Sequence, residues 1–400
     1  MSDQIISVSE AKTILAHQNF HAKTACKALP EAVGRVLAEN VCAQVDVPAF
    51  DQSSMDGYAF AYNEWKPRDP LVVIREVPAG MADRIAIGQG QAARIFTGAP
   101  LPEGADTVVM QERAEVIGGQ LHINQADIKR GDHVRIRGAE INAGEVALAH
   151  GTPLSAAAVG FLAGVGCDRV TVYEPPVVAL IITGDELKQP GETLSHGQVY
   201  EASSSMLRAA LAQMGITDVS VQYTADTFEA TAEALAIALQ VSDVVLLTGG
   251  VSVGEYDFVV RAAKHCGITQ LFHRVKQRPG KPLFAGRKNN KPVFGLPGNP
   301  SSVLTCFYQY VWPVLRRLTG HNDLLTVLQV PLAAAYKKNN QLTHFLKGLY
   351  RDGYVAILPA QESYRMRTFA VANCFVVLDE TERHYEANEK VDIHLLPHYG

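Results

Sequence analysis

The sequence predicts a multidomain protein that combines α/β and β-rich domains, and three observations predict it. Between about residues 177 and 320 short apolar runs alternate with amphipathic ones, the pattern of a mostly parallel sheet with helices on both faces. Residues 46–149 and 323–400 instead carry short β-like runs divided by Gly, Pro and Asn. At 400 residues the chain is also long enough for two to four domains with cores of their own. The expected division is a discontinuous N-terminal domain (1–45 with 150–175), an inserted β-rich domain (46–149), a central α/β domain (176–322) and a C-terminal β-barrel (323–400).

Taken in order, Ser7 and Glu10 form a capping box ahead of a helix from Ala11 to His17, and Pro30 suits the first turn of a second helix reaching about Ala38. Strand-like runs follow at Leu71–Ile74, Ala92–Phe96, Thr107–Met110 and Ala114–Ile117. Leu154–Ala163 reads as a helix and Arg169–Tyr173 as a strand, which would return the chain to the N-terminal helices; Pro175 and Pro176 mark the next boundary. In the central domain, strands near 177–183, 217–224, 243–248, 269–276 and 291–295 alternate with helices near 203–214, 227–240, 256–266 and 302–318. Gly215 and Gly267 stand where helix-ending glycines belong. The last β-like runs are Val327–Val330, Tyr354–Leu358, Cys374–Leu378 and Val391–Leu396.

Composition sets bounds on function. With 47% hydrophobic and 19% charged residues the chain is ordinary for a globular protein, and a net charge of −5 gives no reason to expect bulk binding to nucleic acid or to an anionic membrane. The N-terminus lacks a secretory apolar core and the longest weakly polar run, Leu154–Gly166, is too short to span a bilayer, so a cytoplasmic location is expected. Six scattered cysteines without a CxxC pair read as reduced thiols, and thirteen dispersed histidines offer no zinc-ligand spacing.

Chemistry concentrates in three loops at strand ends. Thr248–Asp257 (TGGVSVGEYD) joins an apolar strand to an amphipathic helix, and Gly249, Gly250 and Gly254 free the backbone to turn N–H groups toward an anion near the helix start. Val293–Ser302 (VFGLPGNPSS) ends a strand at Gly295; Asn299 is placed to cap a helix that begins at Pro300, and Ser301 and Ser302 add hydroxyls to an exposed helix start. Val177–Leu187 ends a buried strand at Thr183 and two carboxylates, Asp185 and Glu186. Loops at the carboxyl ends of an open α/β sheet line one crevice, so three of them predict a single site. The same strand–turn–helix pattern also serves simply to turn corners. Arg278 and Lys281 in QRPGKP read as solvated charge or as an oxyanion clamp. Asp226 and Asp257 join Asp185 and Glu186 as acids without evident local partners, a set that suits Mg²⁺ beside phosphate or, for one or two of them, helix capping. In DQSSMDGYA, Asp56 precedes Gly57, and spacing alone favours an Asx-type turn there.

Six motifs in order, DQSSMDGYA, TGAPLPEGAD, TGDEL, GGVSVGEYD, RPGKP and GLPGNP, resemble those of the molybdopterin molybdenumtransferase (MoeA) family, which includes the C-terminal domain of gephyrin. The likeness runs from about residue 7 to the C-terminus. It implies that the central domain is of the molybdopterin-binding type, and that the reaction cleaves adenylated molybdopterin, releases AMP and places molybdenum from molybdate on the pterin, with Mg²⁺. By this resemblance Glu186 and Asp257 are the metal ligands, and Asp56, Glu140 (where Asp is usual), Asp226 and Lys281 join them as catalytic positions. The resemblance likewise implies that Thr97, Thr183, Asp185, Gly249, Gly250, Ser252, Gly254, Arg278, Pro297, Gly298, Asn299, Pro300, Ser302, Lys347 and Ser363 bind pterin, phosphate or oxyanion. It further implies a homodimer in which Asp56, Thr97 and Glu140 act across the interface, and makes a molybdopterin adenylyltransferase a candidate partner.

Several positions depart from the family pattern: Arg278 for Lys, Glu201, Ala202 and Ser203 for Asp-Ser/Thr-Asn, Lys347 for Arg, and Glu362 for Gly. Lys in place of Arg gives up a bidentate fork, and Glu362 adds a negative charge beside a proposed anion site. These departures leave open a tungstate-using transferase or a non-catalytic pterin-binding scaffold. A nucleotide-dependent oxidoreductase is disfavoured because no GxGxxG turn follows a strand.

Overall fold

A computed structural model of the chain describes residues 5–251, 258–322 and 325–397. They form two compact units, one of Cys26–Val172 and one of Met1–Ala25 with Tyr173–Gly400.

The larger unit opens with helix α1 (Val8–Ala16), whose capping box is complete: the Glu10 N–H donates to Ser7 Oγ and the Ser7 N–H to the Glu10 carboxylate. Ala11 and Leu15, four residues apart and so on one face, enter a core shared with Val178, Leu180, Leu246 and Phe294. This corrects the expectation that the first helix packs with residues 150–175; its apolar face belongs to the α/β core. The second expected helix, from Pro30 to Ala38, is also absent. Leu29–Glu31 makes one 3₁₀ turn, and Gly34, at φ +78°, turns the backbone out of helical geometry and donates its N–H to the Leu154 carbonyl at 2.9 Å.

Elements then alternate as expected: β1 (Val178–Thr183), α2 (Ser203–Ala212), β2 (Val219–Thr224), α3 (Phe228–Val241), β3 (Val244–Thr248), α4 (Phe258–His265), β4 (Thr269–His273), β5 (Phe284–Lys288) and β6 (Lys291–Leu296). The sheet order is β2-β1-β3-β6-β5-β4; the first four strands are mutually parallel, β5 runs antiparallel to β6, and the edge strand β4 runs antiparallel to β5. Every residue of β1 and β3 is buried, as interior parallel strands covered on both faces require. The pleat sends Leu180 and Ile182 into one core, and Ala179 and Ile181 into another formed with Ala234, Leu235, Ala262 and Ala263 of α3 and α4. From β1 the chain passes to β2 on one side, then crosses to β3 on the other. The loops after β1 and β3 therefore diverge and open a crevice at the carboxyl end of the sheet.

The helical run after β6 comprises α5 (Pro300–Cys306), a π turn (Phe307–Val311) and α6 (Trp312–Leu318). Pro313 has no N–H to give the Gln309 carbonyl, and the wide turn accommodates that loss. The C-terminal strands form a six-stranded sheet in the order Gln277–Arg278, Thr343–Arg351, Cys374–Leu378, Lys390–Leu395, Val327–Pro331, with Tyr354–Ile357 paired to Thr343–Arg351. Just past Val327–Pro331, Leu332 makes a parallel bridge to Val355 and the Ala333 N–H donates to the Val355 carbonyl at 2.8 Å, so the far end of the sheet returns to Tyr354–Ile357 in the direction a barrel requires, through a single bridge and not a continuous ladder.

The smaller unit is β-rich as expected. Its six-stranded sheet runs Thr107–Met110, Gly57–Phe60, Gln91–Ile95, Leu71–Val77, Gln120–Ile123, Ala114–Ile117. Leu37, Leu154 and Leu162, with helix Ala156–Gly164, make a separate small core in the same unit.

Candidate active site

At the carboxyl ends of β1, β3 and β6 lies a cavity of about 470 Å³ lined by Thr183, Glu186, Asp226, Gly249, Gly250, and the run Pro297 to Pro300. All three chemistry-bearing loops thus contribute to one space, as strand-end loops were expected to. Two of its glycines are dictated by contact. At Gly249, φ +89°, a Cβ would stand 2.6 Å from the Thr183 carbonyl oxygen; at Gly250, φ +62°, it would meet Val259 at 3.1 Å and Asp226 Oδ1 at 3.4 Å. The Gly249 N–H donates to the Leu296 carbonyl at 3.3 Å, joining the turn after β3 to the end of β6. Ser252, Gly254 and Asp257 lie outside the described residues.

The acids at this cavity are not electrostatically neutral neighbours. Burial pushes the Asp226 carboxyl above its ordinary value, and the charges of Asp185 and Glu186 push it further. The Thr183 hydroxyl opposes this only weakly, because it donates to the Thr248 carbonyl at 3.2 Å. Asp226 Oδ1 is buried and makes no hydrogen bond among the described residues. The Asp226 N–H donates to Asp185 Oδ1 at 3.3 Å, which holds the loop after β2 against the loop after β1. Oxygen-only ligands with a buried, unpartnered carboxylate oxygen suit a hard divalent cation. Among the described residues no group of three or more His, Cys, Asp or Glu is arranged to hold one.

The helix start after β6 differs from expectation. Asn299 occupies the N-cap position, but its side chain makes no cap; Nδ2 donates instead to Ser363 Oγ at 3.1 Å. Ser301 and Ser302 are buried, not exposed, because the Gln361–Arg365 loop covers them: the Ser301 N–H donates to the Ser363 carbonyl at 3.2 Å and the Ser302 N–H to the Asn299 carbonyl at 2.9 Å. Those N–H groups are therefore engaged within the protein.

Lys347 explains how that loop is held. Only 3% exposed, it extends its ammonium to the carbonyls of Ala360, Glu362 and Arg365 at 3.0, 3.3 and 3.1 Å, so all three of its donors are engaged. Burial lowers its pKa. Lys347 thus acts on the site by positioning Ser363, and its ammonium does not face the cavity. Glu362 pairs with Arg365 at 3.5 Å, which offsets the extra negative charge noted in the sequence. Arg278 is exposed on the strand paired with Thr343–His344, close enough to Tyr336 and His344 to affect their titration. Lys281 is exposed; the neighbouring Gly280 packs against Cys306 and Ser302, so the QRPGKP turn lies on α5.

In the smaller unit, Asp56 Oδ1 accepts the Thr97 N–H at 2.7 Å and the Thr97 hydroxyl at 2.8 Å. These bonds, assisted by the charge of Arg94, hold Asp56 below the usual carboxylate range. A partner 41 positions away replaces the local Asx turn that spacing favoured. Gly57 follows because a Cβ there would fall 1.9 Å from the Val109 carbonyl oxygen. Glu140 is exposed, its N–H bonded to the Val47 carbonyl at 2.9 Å.

Comparison with known proteins agrees with this organisation. Residues 6–166 match the MoeA N-terminal region (domain I and II), 179–317 the probable molybdopterin binding domain, and 329–396 the MoeA C-terminal region (domain IV). A curated relative from Staphylococcus epidermidis, named molybdopterin molybdenumtransferase, is 31% identical over 398 residues, covering 97% of this chain and 95% of its own. The chain belongs to the MoeA family. Another member of the same name, from Nostoc sp. (strain PCC 7120), is 38% identical over 72% of this chain and 68% of its own. A crystal structure of a molybdopterin biosynthesis MoeA protein from Pyrococcus horikoshii superposes with a TM-score of 0.87 at 28% identity, covering 98% of this chain and 99% of that one. As a MoeA family member the chain is an enzyme, a transferase.

Within this MoeA fold, sequence reading did not nominate Leu187, Val199, Tyr200 or Pro282, which also line the cavity, and treated Glu201 only as a departure. Glu201 is 2% exposed, and its carboxylate accepts the Ser204 N–H at 2.8 Å and the Ser204 hydroxyl, capping α2 in place of Ala202. The overlooked signal was the length of the turn-rich stretch between TGDEL and α2. A long loop beside a site is more often functional than a connection.

Proposed function

We propose that this transferase inserts molybdenum into adenylated molybdopterin, taking molybdate and releasing AMP, in the biosynthesis of the molybdenum cofactor. Family membership supports the reaction class, and one observation supports the assignment of the cavity: the buried, unpartnered Asp226 Oδ1 after β2, beside Asp185 and Glu186 after β1. A substrate with a pyrophosphate could not approach three carboxylates without a counter-ion. In this reading Glu186 and Asp226, with Asp257, would hold Mg²⁺, which would offset the charge of the pyrophosphate. The glycine turn leaves room for the terminal phosphate, and Asn299 and Ser363, bonded to one another, form the opposite wall. Lys281 supplies positive charge for the tetrahedral dianion. The reading includes a homodimer.

The test incubates purified protein with adenylated molybdopterin, Mg²⁺ and molybdate and measures AMP and incorporated molybdenum. Release of AMP is expected, and Glu186→Gln should slow it by about a hundredfold or more. No AMP from wild-type protein beside a working positive control would exclude this function. One observation favours a variation in specificity: Lys347, with its donors engaged internally, is unavailable to the oxyanion. A parallel arm with tungstate reads whether the anion preference has moved.

A further inference from the structure

A second cavity, of about 210 Å³, lies in the larger unit among α1, the π turn and the strand Val327–Pro331. Its walls are mainly apolar, from Leu15, Pro313, Val314, Leu325 and Val327, yet Lys12 and Arg317 also line it and no carboxylate does among the described residues. Arg317 directs its guanidinium at the carbonyls of Leu15 and Ala16 at 2.5 and 2.6 Å, which engages two of its five N–H groups and anchors its charge at the cavity wall. Lys12 differs. Its amine donates to Gln309 Oε1 at 3.0 Å and stands 5.6 Å from the Phe345 ring centroid, which accounts for one of its three N–H groups.

Gln309 completes the polar end. Its Oε1 also receives His394 Nδ1 at 2.9 Å, and two donors on one oxygen fix the amide's orientation. The nitrogen then lies on the other side: Nε2 is buried in a residue only 1% exposed and has no partner among the described residues. The π turn that carries Gln309 is the irregular part of the long helix, where backbone regularity yields to side-chain placement. Burial lowers Lys12 to about 8 and His394 to about 3, so at neutral pH the amine remains mostly charged and the imidazole does not compete for an anion.

We propose that this cavity is a binding site for a small monocarboxylate with an apolar tail about the size of a phenyl ring, its carboxylate meeting the two N–H groups of the Lys12 ammonium that Gln309 leaves open. A cavity of about 150 Å³ holds benzene, so the volume suits such a tail. The site is separate from the one at the strand ends and does not depend on the reaction assigned there.

Calorimetric titration of the full chain with benzoate tests it. Saturable one-to-one binding is expected, about tenfold or more tighter than benzyl alcohol, because the alcohol lacks the charge-assisted bonds. Lys12→Met should weaken benzoate by about tenfold or more on the same grounds. Val327→Trp, at an exposed position on the rim and so compatible with folding, should abolish binding. Saturable binding of neither benzoate nor hexanoate overturns the proposal. So does benzyl alcohol binding as tightly as benzoate, or benzoate affinity unmoved by Val327→Trp.

Discussion

Asp226 in the larger unit and Asp56 in the smaller one are both carboxylates that lie against a glycine, Gly250 and Gly57, yet their surroundings are opposite. Asp56 receives two hydrogen bonds on one oxygen from Thr97 and is held below the usual range. Asp226 has a buried oxygen without a partner and two acids nearby, and is held above it. The difference is donor supply. Where the fold satisfies a carboxylate, the charge helps to fix loops; where the fold leaves it short, a proton or a bound cation must make up the deficit.

The largest expected effect breaks the satisfied side of this pair. Gly57→Ala would set a methyl 1.9 Å from the Val109 carbonyl oxygen within a paired strand, and the strand must move to relieve it. Loss of about 4 kcal/mol or more is expected in chemical denaturation. A variant as stable as wild type would show that Asp56 is not held by strand geometry. Next comes the loop that walls the unsatisfied side. Lys347→Met leaves three carbonyls without their donor and should cost about 3 kcal/mol. It should also expose residues 358–366 to limited proteolysis, whereas Lys347→Arg should keep most of the protection. Equal protease resistance in the Met variant would mean that the loop is held by something other than the ammonium.

These two residues also mark how far the sequence could be read. Alternation and run length gave five of the six strands of the central sheet, and Ser7 and Glu10 gave the start of α1, because each is a local pattern with a physical period. The glycine turns were legible as a strand-end crevice for the same reason. Lys347 was legible only as a positive charge. Its carbonyl partners lie 13 to 18 positions away in an irregular loop, and no period encodes that contact. The burial of Ser301 and Ser302 beneath that loop was hidden in the same way, and so was α1's choice of core: an amphipathic face states that it is buried but not against what. The C-terminal strands were readable one by one, while closure of their sheet depends on pairing that alternation does not specify.

A smaller effect sharpens the comparison. Thr97→Val removes the hydroxyl bond to Asp56 but keeps the backbone bond, and should cost about 1 kcal/mol by chemical denaturation. A loss several times larger would mean that the hydroxyl, not the amide, seats the carboxylate.

The smallest effect is a difference in sign, read from stability against pH. For Asp56 the folded pKa lies below the ordinary aspartate value of 3.8, so its contribution is present above that value and is lost as pH falls through the folded pKa. For Asp226 the order reverses. The unfolded chain gives up its proton first as pH rises past 3.8, stability falls as pH climbs through the raised folded pKa, and the full penalty applies at neutral pH. Asp56→Asn should therefore be less stable than wild type at pH 7, and Asp226→Asn more stable, as read by Tm; the Asp226 difference should shrink as pH falls toward 3.8, and the Asp56 difference only as pH falls below it. Added Mg²⁺ should erase the advantage of Asp226→Asn by raising the wild type alone, since only the aspartate offers the cation a charged oxygen. Differences of the same sign in both variants would show that Asp226 is already satisfied in the folded chain, and the contrast between the two carboxylates would fail.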